Sequence, residues 1–329
     1  MAKVRIALDL LGADHPPDVL LQRVGDLPLN ALDLTLVGPP EVAAYARMLN
    51  ASHLRTEAYV AQTDTLQTAL RRLPDSSMRK ALELLRDGAV DAVVSAGNTA
   101  ALMALSRALV ARAPGLSRPA ICKLLKGKTQ PVWMLDLGAN IGCSAQQLGQ
   151  FAVLGSALAG GSLPPQQRVR VGLLNIGAEV TKGPAVLAQA AELLESDMRF
   201  DYVGFVEAHE LFDGRADVIV SDGLLGNTAL KAIEGTASMA QHLLVSHLQR
   251  LRKQGGIRAW LLERLLATRD LEDVYDPQGY NGASLLGLSG VVIKSHGRAD
   301  ATGFAAAILQ AHDEFTAKVP QRVFDAFLT

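Results

Sequence analysis

The sequence predicts an α/β protein, with a mostly parallel sheet in a three-layer αβα arrangement and residues 1–329 forming one continuous body. Three observations carry this expectation. Short apolar runs are followed by a polar, glycine-bearing turn and then by a stretch of helical spacing, at least five times. That alternation is how parallel strands are covered by helices on both faces. The run Ala89 to Ser95 is valine-rich and nearly all apolar, as strands buried on both sides are. Hydrophobic residues are 49% of the chain and charged residues 20%, which suits a large core and excludes a disordered chain.

The elements follow in order. Val4 to Leu10 reads as a strand, and the turn Gly12, Asp14, His15, Pro16 closes it. Leu32 to Val37 is a second strand, stopped by Gly38-Pro39-Pro40, and Glu41 to Leu49 a helix. Met78, Leu82 and Leu85 give Ser76 to Arg86 a helical stripe, with Ser76 or Ser77 as its cap and Gly88 as its stop. After the strand Ala89 to Ser95, Gly97-Asn98-Thr99 opens a helix to Arg112. Val132 to Leu137 leads through Gly138-Ala139-Asn140 to a helix from Ala145 to about Leu158. Gly160 to Arg168 reads as an exposed connection. Val169 to Asn175 leads to Gly177, Glu179, Lys182 and Gly183, and Pro184 suits the first turn of the next helix. Tyr202 to Val206 ends at Glu207. Ala216 to Ser221 ends at Asp222-Gly223, with Gly226-Asn227 opening another helix. Residues 236–270 break the rhythm as a protruding helical hairpin, with apolar residues on one face of each arm and basic residues between. It is expected to pack on the body or on a second copy. Alternatively its tip, with Arg252, Lys253, Ile257 and Trp260, meets an anionic membrane surface. Asp276 to Gly290 reads as loop, Val291 to Ile293 as a strand, and Thr302 to Lys318 as the last helix.

Composition narrows the function. With 32 basic and 33 acidic side chains, the chain lacks the positive field of a non-specific nucleic-acid binder. Two cysteines, Cys122 and Cys143, cannot form a multi-bridge framework, and a reducing compartment is expected. The first polar turn comes too early for a signal peptide, and no apolar run reaches the roughly 18 to 20 residues of a spanning helix, so a cytoplasmic location is expected.

The polar residues collect after strands: Asp14, His15, Ser95, Asn98, Thr99, Asp136, Asn140, Glu179, Lys182, Asp222, Asn227, Lys294 and His296. Any one such turn is ordinary, since turns favour Asn, Asp and Gly. Their recurrence predicts convergence on one sheet edge, where α/β proteins bind ligands. Lys182, beside a glycine before a helix, reads as an anion holder or a solvated lysine. Lys294 and His296 make the same case at the last strand. His15, stiffened by two prolines, reads as an acid or base or as a turn residue. Cys143 reads as a buried inert thiol, or as a thiolate at a helix start. GxGxxG after the first strand, GxxxxGK[ST], GxSxG and zinc spacing of cysteines are all missing.

Six segments together resemble the bacterial phosphate acyltransferase of phospholipid synthesis, the PlsX family. They are Asp9 to Asp14, Ser76 to Ala104, Leu135 to Cys143, Val171 to Gly183, Ala216 to Lys231 and Gly287 to Asp300, in the family's order. The resemblance implies an isocitrate/isopropylmalate dehydrogenase-like fold. It implies transfer of a long-chain acyl group from acyl carrier protein to inorganic phosphate, without a cofactor or metal. It also implies a homodimer, peripheral membrane association, and a downstream membrane acyltransferase acting on glycerol 3-phosphate. The chain departs from the family pattern at Ala13, Ala100, Gly142, Leu124 to Lys126 and Ala208 to Glu210.

Joined to the residue reading, this gives an expected site. Lys182, Asn98, Thr99, Lys294 and His296 hold phosphate; Asn227, Asn140, Asp136 and Ser95 serve the carbonyl side. His15 moves the proton, and Asp222 orients Lys182 or His15. A coenzyme A-dependent phosphate acetyl- or butyryltransferase, a metal-dependent dehydrogenase of related fold, and a non-enzymatic organiser of lipid-synthesis proteins are the competing readings.

Overall fold

The structure is a computed structural model that describes residues 3–164, 166–254 and 282–328. Among these residues eleven strands form one sheet. They are β1 (Val4–Asp9), β2 (Leu32–Gly38), β3 (Ser52–Arg55), β4 (Ala92–Ser95), β5 (Ala120–Leu125), β6 (Val132–Leu135), β7 (Arg170–Leu174), β8 (Asp201–Val206), β9 (Val218–Val220), β10 (Ala283–Leu286) and β11 (Val291–Lys294). Their spatial order is β3-β2-β1-β4-β11-β10-β5-β6-β9-β7-β8. The helices are α1 (Pro17–Leu20), α2 (Val42–Leu49), α3 (Leu66–Arg71), α4 (Ser77–Arg86), α5 (Thr99–Leu109), α6 (Ala145–Ala159), α7 (Ala185–Ser196), α8 (Gly223–Gln254), α9 (Ala301–Thr316) and α10 (Val319–Leu328).

The sheet is mostly parallel, as expected, but it reverses direction in the middle. β11 pairs antiparallel with β10, β10 with β5, and β5 with β6. The strands outside this stretch pair parallel. Three antiparallel junctions in succession leave β6, β7, β8 and β9 running opposite to β1, β2, β3, β4 and β11. The turns after β6, β7 and β9 therefore leave one edge of the sheet, and those after β1, β4 and β11 leave the other. Convergence of all the polar turns on a single rim is thus corrected. The reading missed the reversal because β5 and β10 carry weak strand signals: Ala283-Ser284-Leu285-Leu286 has no β-branched residue and lies between glycines.

Residue alternation sorts the layers. Ala7, Val93, Val292, Ile121, Met134 and Ile219 belong to one cluster with residues of α4, α5 and α8, so a single helical layer covers that face across both halves. On the other face the core divides in two. Leu8, Val94 and Ile293 pack with Val42 of α2 and Phe304 of α9. Val171, Val218 and Leu135 pack with residues of α6, α7 and α10.

Several boundaries move. Ser76 occupies the start of α4, but its Oγ donates to the Leu73 carbonyl at 3.0 Å and makes no cap. Gly88, at φ 69, ends that helix as expected. The predicted last helix is two: Lys318 takes a left-handed φ of 55, and α10 then returns Val323 to the α6 layer. The helix opened near Asn227 runs on unbroken to Gln254, so the first arm of the expected hairpin is its distal half. Arg252 and Lys253 lie in its last turn; Ile257, Trp260 and the second arm fall outside the described residues.

Over β5 and β6 on the divided face lies a cavity of about 390 Å³, lined in part by Trp133, Leu309, Glu314 and Arg322. Glu314 is buried, and its Oε1 accepts from Ser284 Oγ and from Gln310 Nε2 at 2.9 Å. Burial nevertheless pushes its carboxyl from 4.5 up to about 7. The folded protein then binds this proton more tightly than the unfolded chain does. Its contribution is greatest below about pH 4.5 and declines as pH rises to about 7. Glu314→Gln should flatten that part of the profile. Urea unfolding at pH 5 and pH 7.5 should show the difference between the two pH values shrinking by on the order of 1–3 kcal/mol relative to the parent protein.

Candidate functional site

The gap between α5 and α8, over the reversed strands, forms a cleft of about 520 Å³. Thr99, Met103 and Arg107 line its α5 wall, and Asn227 and Lys231 its α8 wall. Ile121 and the loop Leu137 to Asn140 form the base, with Arg118 at the side. A second cleft of about 270 Å³ shares Thr99 and is lined by Asp14, Gln62, Lys294, His296 and Arg298. A third, with His15 and Tyr59, adjoins it through Asp14 and Gln62. The site is therefore a groove along one face, not a rim. It brings Thr99, Asn227 and Asn140 into one cleft and Thr99, Lys294 and His296 into the next.

Each end of the groove is built from a buried carboxylate. At one end Asp136 accepts backbone N–H bonds from Ile121 at 2.8 Å, Ala139 at 3.2 Å and Asn140 at 2.6 Å. The Asn140 amide donates to Asp136 Oδ2 at 3.0 Å and to the Pro119 carbonyl at 2.9 Å. Burial raises the Asp136 carboxyl to about 6 against these bonds. Asp136 and Asn140 thus fold the loop after β6, and the Asn140 amide is already spent on it. The start of α8 rests directly on this loop: Gly223 N–H donates to the Asn140 carbonyl at 2.8 Å, and a Cβ at Gly223 would stand 2.3 Å from that oxygen. Asp222 holds the same junction, accepting from Cys143 N–H at 2.7 Å and Leu224 N–H at 2.9 Å. Burial opposes ionisation of Asp222, but those donors outweigh it and hold the carboxyl below its usual range. Neither Lys182 nor His15 is among its partners, so the expected orienting role is replaced by anchorage of α8. One helical turn on, Asn227 is exposed in the cleft beside Gly138.

At the other end, Asn98 caps α5: its Oδ1 accepts from Ala101 N–H at 3.0 Å, and its amide donates to the Ala61 and Gln62 carbonyls. Its polar atoms are engaged in tying that loop to the helix. Ser95 is buried and donates to Asp9 Oδ2 at 2.6 Å. It stands with Lys294, not with Asn140 and Asp136 where the sequence reading had grouped it. Lys294 is 9% exposed, and its Nζ donates to the Ala96 and Ser295 carbonyls. Burial lowers it to about 8, against the charges of Asp9 and Asp14. His296 Nδ1 accepts the Arg298 N–H at 3.1 Å, which leaves Nε2 to carry the proton of the neutral ring. Its pKa is lowered, first by burial and then by Lys231.

Lys182 stands apart. It is exposed, pairs with Glu179 at 2.9 Å, and lines none of these clefts. It follows β7, on the edge opposite Lys294.

Sequence reasoning missed Arg107, Arg118, Lys123, Lys231 and Glu234. Glu234 Oε2 accepts from Lys231 Nζ at 2.7 Å, and Lys123 Nζ lies 3.8 Å from its Oε1. The signal existed in helical spacing: Thr99, Met103 and Arg107 are four apart, as are Asn227 and Lys231. Lys123 had no signal while β5 went unrecognised.

The departures also find places. Gly142 takes a left-handed φ of 71. Ala208–Glu210 is a short 3-10 turn closed by reciprocal bonds between Glu207 and Glu210.

Residues 4–322 match the family described as fatty acid synthesis protein. The chain belongs to that family. Proteins named phosphate acyltransferase from Shewanella sp. (strain W3-18-1) and Shewanella baltica (strain OS155) are each 42% identical to it, over 99% of this chain and 97% of theirs. Among solved structures, a phosphotransacetylase from Streptococcus pyogenes superposes with a TM-score of 0.62 at 15% identity, covering 95% of this chain and 94% of that one. A 4-hydroxythreonine-4-phosphate dehydrogenase from Klebsiella pneumoniae gives 0.54 at 11% identity, covering 95% and 99%. At these identities the likeness is one of fold, and it bears out the dehydrogenase-like α/β fold that the family resemblance implied.

Cys143, at the junction that Asp222 holds, is a buried thiol. Burial, and then the neighbouring Asp222 charge, push it up to about 12. Cys122 is fully buried, and burial pushes its thiol well above the usual range. Iodoacetamide at pH 8 should label neither in the native protein and both in urea, read by intact mass.

Proposed function

We propose that this chain transfers a long-chain acyl group from acyl carrier protein to inorganic phosphate, giving acyl phosphate for phospholipid synthesis. The observation that carries the reading is the end-to-end similarity to proteins named phosphate acyltransferase. The groove supports it, since it offers cations at one end and an unengaged amide at the other.

In this reading phosphate lies against the Lys294 ammonium, His296 Nε2–H and the Thr99 hydroxyl. A phosphate oxygen attacks the thioester carbonyl carbon, the carbonyl electrons move onto its oxygen, and the Asn227 amide donates to that oxyanion. Collapse breaks the carbon–sulfur bond. The departing thiolate takes a proton from His15 in the adjoining cleft, leaving acyl phosphate and free carrier. Phosphate is already a competent nucleophile at neutral pH, so placing it against the carbonyl does most of the work. No metal or organic cofactor takes part. Asn98, Asn140, Asp136, Asp222 and Ser95 act behind this surface by shaping its loops. Lys182 is assigned no step within this groove.

The partners follow from the same surfaces. Arg107 and Arg118 at the groove suit an acidic carrier. Met239 and Leu243 are exposed on the distal half of α8 and suit a second copy of the chain. Among the described residues no helix is long and apolar enough to cross a membrane. Peripheral contact with anionic lipid, from a cytoplasmic location, would bring acyl phosphate to a membrane acyltransferase that uses glycerol 3-phosphate.

Phosphate-dependent release of free thiol tests the activity, with acyl carrier protein and coenzyme A thioesters run side by side. Release only from the coenzyme A thioester would replace this reading with a phosphotransacetylase. Lys294→Met should raise the phosphate KM at least about tenfold with a smaller effect on the acyl donor, since a charge-assisted bond is worth about 1.5–3 kcal/mol. Asn227→Ala should lower kcat about 10²-fold, the typical cost of one oxyanion donor.

A further inference from the structure

Asp9, Ser95 and Lys294 are the last residues of three neighbouring parallel strands, and they share one register row. Asp9 is opposite Ser95, and Ser95 is opposite Lys294. The residues two places earlier, Ala7, Val93 and Val292, all belong to the core beneath α4 and α5. Alternation therefore directs all three polar side chains to that same face. They are 1%, 0% and 9% exposed. Ser95 Oγ donates to Asp9 Oδ2 at 2.6 Å and accepts the Gly97 N–H at 3.1 Å, which fixes the carboxylate relative to the turn that opens α5. Lys294 alone of the three lines the cleft.

We propose that Asp9 is a positioning residue for phosphate binding: its carboxylate, fixed by Ser95, stands behind Lys294 and keeps the ammonium charged and facing the cleft. Asp9 touches no substrate in this arrangement. The inference rests on the anion-holding role of Lys294 proposed above. An ammonium buried among carbonyls would shed its proton without a counter-charge. Burial lowers Lys294 to about 8, and Asp9 is the larger of the two charges that oppose that fall, with Asp14 second. The other charged or titratable groups on this side are Lys123, Lys231, Glu234, His296 and Arg298. Lys231 works against Asp9 at Lys294.

Asp9→Asn keeps the shape and an acceptor for Ser95 and removes the charge. The sign is fixed: with less negative charge behind it, Lys294 loses its proton at lower pH. The alkaline limb of kcat/KM for phosphate should move down by about one pH unit, a tenfold loss of proton affinity. Phosphate binding measured calorimetrically without acyl donor should weaken about fivefold at pH 8 and much less at pH 6.5. Ser95→Ala, which frees the carboxylate but leaves its charge, should move the limb the same way by a smaller amount. It serves as the deciding variant if Asp9→Asn does not fold. A limb that stays in place in the folded variants, while Lys294→Met still weakens phosphate binding, would overturn the role of Asp9 and leave the anion site intact. If Lys294→Met leaves phosphate binding unchanged, the anion site itself is wrong and this inference falls with it.

Discussion

The antiparallel pair β5 and β10 decides the shape of everything around it. A wholly parallel sheet of this order would send every βα turn to one edge. Inserting these two strands reverses the second half, so a groove on one face replaces a rim. Within the helical layer on that face, α5 stands on one side of the groove and α8 on the other. The polar turns then enter the groove from its two ends, Asp9 and Lys294 at one and Asp136 and Asp222 at the other.

Each end uses a carboxylate differently. Asp136 gathers three backbone N–H groups and one side-chain amide, and so defines a loop. Asp9 receives a side-chain bond from Ser95 at 2.6 Å, with the Ser77 hydroxyl close by, and lies in the field of a lysine two strands away. Both are raised to about 6 by burial, yet only the second lies behind a cation that lines the groove. Burial alone therefore does not distinguish a structural carboxylate from one that serves a site; what stands in front of it does.

Much of this was legible in the sequence. The valine-rich run before Gly97, the spacing of Met78, Leu82 and Leu85, and the repeated turn after an apolar run identified β4, α4 and the parallel halves. Thr99, Asn227, Lys294 and His296 were singled out and line the groove. The reversal was not legible, because β5 went unrecognised and β10 reads as loop, and it separates Lys182 from Lys294. Asn98, Asn140 and Asp222 have the residue types of a site, but Asn98 and Asp222 are bonded to the backbone and the Asn140 amide N–H groups go to Asp136 and the Pro119 carbonyl. Sequence shows a donor or acceptor without showing whether it is already engaged. Arg107 and Lys231 were hidden for the opposite reason: they lie within helices, not turns.

α8 has 32 residues, which at 1.5 Å per residue makes a rod about 48 Å long. Its first turn is clamped by Asp222 and by the Asn140 carbonyl, so any tilt of the rod would turn about Gly223. A swing of about 4 Å at the far end moves a residue one turn from the pivot by only about 0.5 Å, given 5.4 Å per turn. Such gearing would shield the Asn227 amide in the groove from whatever pulls on the distal end, while half an ångström is still enough to lengthen a hydrogen bond.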